Sequence, residues 1–412
     1  MKKIKKLISS IKKDGLLLTI KKIINKFKLI IARNRVKKNE INLAKELNID
    51  NFKRVIIFEN QFGWAKIMKQ RPQQIASAID DKTLFIYGTT HMEIGNINGI
   101  KKIKDNLILM DLVIYKQKII ELLKNVKNKY LMIYSTDYIP IEVLKPYLDA
   151  GFKLIYEFVD NIDEKLCGKE TAKLLKERQE KIINKYNPYI VTTATKLYNI
   201  VKELKEDANI ALITNGVDYE HFSTAQAPTK EIEKIRKPGD IIIGYYGALA
   251  SWFDYELIKK LAKSNSKFKI VLIGLDYDKT LDKSGILNLK NVYYLGKKNY
   301  DELPNYLHDF DICTIPFVIN EITLSTSPVK VFEYMAAKKP IVTTDLPECR
   351  KYKSILIGKD SEEFIKKIEL AISNMNNEKY LNLLEKEAKE NDWNNKFKNL
   401  LELITKGEND EG

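Results

Sequence analysis

The sequence predicts an α/β protein of two successive doubly wound domains, preceded by a basic amphipathic helical arm. Three observations carry this. Short apolar runs rich in Val, Ile, Leu and Tyr alternate with helix-forming stretches, the pattern of strands covered on both faces in βαβ units. The alternation stops at a polar segment holding two Pro and a Gly, then restarts. With 412 residues, the chain exceeds the roughly 150 residues that one domain usually takes.

The arm comes first, over residues 1–45. Ile4, Leu7, Ile8 and Ile11 recur at helical spacing, and after Asp14-Gly15 so do Leu16, Ile20, Ile23, Ile24, Phe27, Ile30 and Ile31. Lysines fill the other face. Residues 1–40 hold 14 Lys or Arg against Asp14 and Glu40, so most of the chain's net charge of +15 lies there. Lysines interrupt every apolar stretch, so neither a membrane span nor a secretory signal is expected. Such an arm suits the surface of an anionic membrane; a surface helix packed on the body is the other reading. The remaining chain is nearly neutral, which argues against a nucleic-acid partner.

The first domain is expected over residues 46–222. Its strands are Arg54–Asn60, Thr83–Thr89, Leu107–Leu112, Tyr130–Ser135, Lys153–Asp160, Tyr189–Thr195 and Ile210–Gly216. Residues 223–240 read as a linker. The second domain, 241–378, has Ile241–Gly247, Phe268–Gly274, Val292–Gly296, Ile312–Phe317, Pro340–Asp345 and Ser354–Gly358. Helices over 379–412, anchored by Trp393, are expected to pack back across both domains. Two such sheets place a ligand crevice between the domains, at the carboxyl ends of their strands.

Three scattered cysteines and three histidines without ligand spacing exclude a disulfide scaffold and point to no metal centre. The G-x-G-x-x-G, P-loop and G-x-S-x-G patterns are absent. Asp309-Phe310-Asp311 has a metal-type D-x-D spacing, but it opens a buried strand.

The segment Glu321–Asp345 carries the chemistry. Ser327-Pro328 reads as an N-cap followed by Pro at the first helical position, before Val329 and Lys330. The unpaired N–H groups of a first turn favour an anion. Ser325, Thr326 and Ser327 would add hydroxyl donors, and Lys330 a cation. Glu333 follows on the same face and can accept from ribose hydroxyls. A capped surface helix with a Lys–Glu pair is the alternative. In the first half, Gly63 marks either close backbone approach to a ligand or a plain turn. Asp160, and more weakly Asp137, end strands facing the expected crevice; Asp160 is the candidate acceptor-side base, or else the cap of the next helix.

The pattern S-x-S-P-V-K-V-F-E-Y-M-A-A-K-K-P-I-V-T-T resembles the donor-binding segment of group-one glycosyltransferases with the two-Rossmann (GT-B) fold. Asn215-Gly216-Val217-Asp218 with Phe222, Gly244–Ala248 followed by Trp252, and Trp64 with Arg71-Pro72-Gln73-Gln74 resemble further segments of that family, the last in a bacterial cell-surface polysaccharide subgroup. The resemblance covers residues 52–400. It implies that Glu333 binds the nucleotide ribose. Ser325 stands where the family's first Glu is usual. It also implies that Tyr246, Gly247 and Ser325–Lys330 line the donor site and that Trp64 and Arg71 lie on the acceptor side, where their strand-end positions put Asp137 and Asp160.

The expected activity is transfer from a UDP- or GDP-sugar to a glycan or lipid-linked acceptor. No metal or other cofactor is expected, and Lys330 would stabilise the leaving diphosphate. The expected location is cytoplasmic, on the inner face of the membrane. A nucleotide-sugar epimerase of the same fold and a non-catalytic subunit of a polysaccharide assembly complex are the alternatives.

Overall fold

The continuous apolar runs form strands that are buried on both faces. The computed structural model describes residues 16–38, 42–60, 62–64, 69–224 and 227–406. The chain divides into two units, one of Met1–Lys66 with Ile79–Glu157, the other of Ile67–Ala78 with Phe158–Gly412.

In the first unit lie β1 (Arg54–Phe58), β2 (Thr83–Gly88), β3 (Ile100–Lys104), β4 (Leu107–Met110), β5 (Lys129–Tyr134) and β6 (Lys153–Phe158). They are ordered β3-β4-β2-β1-β5-β6. All pairings are parallel except that of β3 with β4. Ile57 stands opposite Ile86 on one side and Leu131 on the other, so the middle of β1 is wholly apolar. Strand β3 (IKKIK) was not expected. It is an exposed edge strand, and its lysines hide it from an apolar search while guarding the edge against further pairing.

Helix α1 (Leu16–Lys37) is the described part of the arm; the periodicity at Ile4–Ile11 lies outside the described residues. It packs beside α2 (Leu112–Leu122). Ala32, 1% exposed, sits on the packing face. Arg33 Nη2 donates to Val113 O (3.3 Å) and Arg35 Nη1 to Asn98 Oδ1 (2.8 Å).

The second unit contains the parallel pair β7 (Tyr189–Thr192) and β8 (Ile210–Leu212). It also contains β9 (Ile241–Tyr246), β10 (Phe268–Ile273), β11 (Val292–Tyr294), β12 (Ile312–Ile315), β13 (Ile341–Thr344) and β14 (Ile355–Gly358). These six form an all-parallel sheet ordered β11-β10-β9-β12-β13-β14. The order reverses between β9 and β12, the point where such sheets bind ligands. The segment expected as a linker holds a helix, Lys230–Ile235, whose Ile232 is buried in the core of this sheet. Asp309 Oδ2 accepts from Thr229 N and Oγ1 (both 2.6 Å), and Asp311 Oδ2 from Arg236 Nη1 (2.8 Å) and Ile242 N (2.7 Å). The D-x-D pair therefore ties this segment down.

Helices α3 (Val329–Ala336) and α4 (Trp393–Lys406) complete the frame that matters for the site. Val217 N donates to Asn391 O (3.1 Å) and Trp393 N to Val217 O (3.0 Å). A Cβ on Gly216 would come within 2.4 Å of Asn391 O, so only glycine lets the turn and chain lie together. The Arg71 guanidinium sits over the Trp393 ring at 5.7 Å. Lys396, 6% exposed, donates to Thr214 Oγ1 (2.8 Å) and Asn391 Oδ1 (2.6 Å). Burial, then the charges of Arg71 and Lys351, depress its pKa to about 7.

Trp393→Ala should cost about 3–5 kcal/mol in urea denaturation, the range for truncating a buried Trp. The folded chain holds Lys396 neutral above pH 7 while the unfolded chain stays charged to about 10.4. Unfolding therefore takes up a proton across that window, and stability rises with pH through it. Lys396→Met should lose this rise relative to the parent, as read by the difference in melting temperature between about pH 7 and 10.

Candidate functional site

The residues expected to bind the donor converge at the β9/β12 reversal of the second unit. Gly247 directly follows β9, at φ +142°. A Cβ there would lie 2.0 Å from Lys330 Cε, so the lysine stem runs across the bare glycine backbone. Gly274 follows β10 at φ +146°, and a Cβ on it would lie 1.8 Å from Gly247 O. Gly274 thus lets the Gly247 backbone pass, and Gly247 in turn leaves room for the lysine.

Glu333 is 6% exposed and accepts from Tyr246 Oη at 2.6 Å. Burial raises its pKa to about 7, against the lowering effects of the Tyr246 hydrogen bond and the Lys330 charge. Burial also lowers the pKa of Lys330, against the charge of Glu333. The lysine Nζ stands 5.7 Å from the Tyr245 ring centre and 6.0 Å from that of Phe317. Buried Tyr300 has its hydroxyl pKa raised by burial and then by the charge of Glu333. Its Oη accepts from Gln74 Nε2 at 2.6 Å, and the His221 ring stacks on it at 4.6 Å. Tyr300 did not stand out in the sequence, being a lone residue far from the motif, and Gln74 stood there only within the Arg71-Pro72-Gln73-Gln74 segment, with no role of its own.

The hydroxyls preceding α3 behave differently from expectation. Ser327 does not cap the helix. Pro328 is the N-cap residue, and no side chain caps the first turn. Ser327 Oγ instead accepts from Asn215 N (3.2 Å), and Ser327 O accepts from Asn215 Nδ2 (2.7 Å). A neighbouring turn has claimed the group that a local S-P pattern assigns to the helix. Ser325 Oγ donates to Glu321 O (3.1 Å) and Thr326 Oγ1 to Ile322 O (2.9 Å). Their hydroxyl protons are thus engaged in the short helical turn Thr323–Ser325. Val329 and Lys330 begin α3, with its first-turn N–H groups uncapped.

Arg71 is 6% exposed and donates to Thr214 O (3.0 Å) and Asn215 Oδ1 (3.4 Å). Its guanidinium joins the Trp393 anchor to the Asn215 turn. Asp160 is exposed just beyond β6. Asp163, three residues on, caps the helix Glu164–Cys167 by accepting from Lys165 N (2.7 Å).

In the first unit, Gly63 and Trp64 lie by buried Tyr87. Tyr87 Oη donates to Gly63 O (3.2 Å) and its ring meets Trp64 edge-on at 5.1 Å. Burial, then the charges of buried Asp137 and of Glu93, raise the Tyr87 pKa. Gly63 has φ +35°, and a Cβ there would strike Glu93 Oε1 at 2.0 Å. Thr89 Oγ1 donates to Glu93. Buried His91 and Asp111 pair through Nδ1 and Oδ2 at 2.8 Å, and His91 N donates to the same oxygen (2.9 Å). Glu93 and Asp111 went unnoticed in the sequence, and His91 stood there only as a histidine without ligand spacing, because its Asp111 partner is 20 residues away.

Residues 241–374 match the family model described as glycosyl transferases group 1. A relative from Bacillus subtilis, named "Putative teichuronic acid biosynthesis glycosyltransferase TuaH", is 26% identical over 265 residues, covering 60% of this chain and 66% of its own length. The match thus spans just under two thirds of that relative. Among solved structures, Anabaena Alr3699/HepE in complex with UDP and glucose superposes with a TM-score of 0.58 at 14% identity, over 86% of this chain and 99% of that one. A glycosyltransferase from Rickettsia africae ESF-5 gives 0.62 at 15% identity, over 86% and 98%. The α,α-trehalose 6-phosphate synthase of Burkholderia multivorans gives 0.62 at 10%, over 88% and 100%. These structures share the fold, and the family model lies on the unit that carries Tyr246, Gly247, Lys330 and Glu333. Over residues 241–374 the chain is therefore similar to group 1 glycosyl transferases, and it shares the fold of these solved structures.

Proposed function

We propose that this chain transfers a sugar from a UDP- or GDP-sugar to a glycan or lipid-linked acceptor in the synthesis of a cell-surface polysaccharide. The observation that carries this is buried Glu333, held by Tyr246, with the partly buried Lys330 one helical turn away and laid over Gly247 at the β9/β12 reversal. A nucleoside diphosphate satisfies both charges at once. Its phosphates favour the protonated lysine and the uncapped N–H groups of α3. Its ribose hydroxyls donate to the carboxylate. As the bond to the sugar breaks, charge grows on the leaving diphosphate, and Lys330 with the helix N-terminus stabilises it. The reading is metal-independent, since the Asp309 and Asp311 carboxylates are engaged by Thr229, Arg236 and backbone N–H groups. The Anabaena structure with UDP and the Bacillus relative named for teichuronic acid support the donor and product classes.

Asp160, exposed and outside the capping turn, is the acceptor-side base in this reading, with Trp64 and Asp137 in the first unit lining the acceptor. Arg71 serves instead to hold the Asn215 turn. The arm lies on the anionic inner face of the membrane: α1 exposes Ile20, Ile23, Ile24, Phe27, Ile30 and Ile31, and lysines flank them. No described helix is long and apolar enough to cross a membrane.

Release of free nucleoside diphosphate from a panel of sugar nucleotides, with and without acceptor glycan, tests the reading. Acceptor-stimulated release supports it. Sugar interconversion without an acceptor favours the epimerase, and neither reaction a non-catalytic subunit. Glu333→Ala should weaken donor binding roughly tenfold or more, the cost of losing a charged hydrogen-bond acceptor. Lys330→Ala should lower kcat by about a hundredfold with a smaller change in KM. Gly247→Ala should reproduce the lysine phenotype, because its Cβ would displace the stem. Parent-like turnover in all three would remove the donor-site assignment.

The raised pKa of Glu333 also sets a pH dependence. The folded chain keeps its proton up to about pH 7, whereas the unfolded carboxyl loses it near 4.3. Stability from this group therefore falls as pH rises between those values. Donor binding runs the other way, because ribose hydroxyls favour the ionised form. Affinity for an intact UDP-sugar should climb from about pH 6 to 8 in calorimetric titrations. Glu333→Gln should flatten that climb.

A further inference from the structure

A cavity lies in the first unit, lined by residues that the donor assignment does not use. It measures about 850 Å3 and is lined by Arg33, Val36 and Lys37 of α1, by the start of α2, by Glu59 and Asn60 at the carboxyl end of β1, and by the segment 139–143. A smaller cavity of about 150 Å3 shares Glu59, Asn60, Leu112 and Val113 with it and reaches Gly63 and Glu93. The two spaces therefore adjoin at the end of β1, beside the reversal of strand order between β1 and β5.

The charges lining the larger cavity do not cancel. Lys116 is paired with Glu59 at 3.3 Å, and Lys118 is within 3.8 Å of Glu121. No carboxylate pairs with Arg33 or Lys37 among the described residues. Arg33 uses one nitrogen on Val113 O, which leaves most of its five N–H donors for an anion. Both cations stand on α1, whose Asn25, Leu29, Ala32 and Val36 are wholly or partly buried. The opposite face carries the exposed apolar stripe, with Phe27 63% exposed. One helix thus presents a row of apolar side chains to the outside and two unpaired cations to a cavity.

We infer that this cavity takes the phosphate-bearing head of a membrane amphiphile, with Arg33 and Lys37 on the phosphate and the apolar stripe of α1 in the lipid. This rests on the transferase reading and deepens it: the acceptor is carried on a lipid phosphate, and its head group reaches the carboxyl end of β1 through the arm's own cavity. The charge pattern selects an anion, and the adjacent stripe selects an anion attached to an apolar chain over a free one.

Dodecyl phosphate, inorganic phosphate and uncharged dodecyl maltoside, each below its micellar concentration, are titrated into the full chain by calorimetry, with UDP in a parallel cell. Dodecyl phosphate should bind at least tenfold more tightly than either control. The double variant Arg33→Gln/Lys37→Gln should lose about tenfold for dodecyl phosphate and keep the parent's melting temperature and UDP affinity. Ile24→Ser/Phe27→Ser should lose binding to vesicles of phosphatidylcholine with phosphatidylglycerol while inorganic phosphate behaves as in the parent. Unchanged dodecyl phosphate affinity in the Arg33/Lys37 variant would overturn the inference. So would equal affinity for inorganic phosphate, which marks a free-anion site, or equal affinity for the maltoside, which marks plain detergent adsorption. UDP binding with no dodecyl phosphate binding would defeat this inference and leave the transferase reading standing. Dodecyl phosphate binding with no binding of any nucleotide would defeat the transferase reading instead.

Discussion

The proposed donor side depends on a buried carboxylate and a partly buried ammonium one helical turn apart. Each is pushed toward its neutral form by the loss of hydration: Glu333 up to about 7, Lys330 downward. Their mutual attraction and the Tyr246 hydroxyl offset only part of that loss. Buried pairs of this kind are weak sources of stability. Their retention makes sense when a ligand completes them, with an anion that restores the lysine charge and hydroxyl donors that restore the carboxylate. The site is electrostatically incomplete by construction, and its geometry is set before the ligand arrives. Preorganised charge of this sort needs little rearrangement as the leaving group develops its own.

That arrangement is possible because of where glycine falls. Gly247 and Gly274 end neighbouring strands of a tightly packed sheet, both in conformations that L side chains rarely adopt. A side chain at Gly247 would close the space that the Lys330 stem occupies, and one at Gly274 would strike the Gly247 backbone that the stem crosses. The sheet order then puts these strand ends beside the loop that follows β12 and leads into α3. Strand order, backbone conformation and charge are therefore one constraint seen at three scales, and the motif around Lys330 has meaning only within the sheet that presents it.

The strands were legible in the sequence because fully buried parallel strands are continuous apolar runs, and Ile241–Tyr246 or Tyr130–Tyr134 can hardly be anything else. What stayed hidden had its signal diluted by charge or supplied from afar. Strand β3 is mostly lysine, as an exposed edge allows. The helix Lys230–Ile235 shows two buried isoleucines among charged residues and reads as a linker. The helix that carries Lys330 and Glu333 was legible, since spacing along one helix is local information. The fate of Ser327 was not, because the competitor for its hydroxyl, Asn215, is 112 positions away in the chain. Arg71 shows the same limit: a lone arginine before a proline carries no sign that its guanidinium will close over Trp393.

Helix α1 poses the opposite problem, since its pattern was plain and its placement is what informs. An amphipathic helix on a globular body normally turns its apolar face inward. Here the inward face holds Asn25, Leu29, Ala32 and Val36, and the isoleucines with Phe27 point away. Packing onto the body therefore leaves the larger apolar face unsatisfied, at roughly 25 cal/mol for every Å2 kept in water. The segment Leu16–Lys37 carries seven Lys or Arg and no Asp or Glu, so its charges also repel one another along the helix. An anionic, partly apolar surface relieves both costs at once, and neither a neutral lipid face nor a soluble polyanion relieves more than one. The same helix lends Arg33 and Lys37 to a cavity that ends at the first sheet's reversal. The proposed attachment to a surface and the proposed recognition of what that surface carries thus draw on one 22-residue helix.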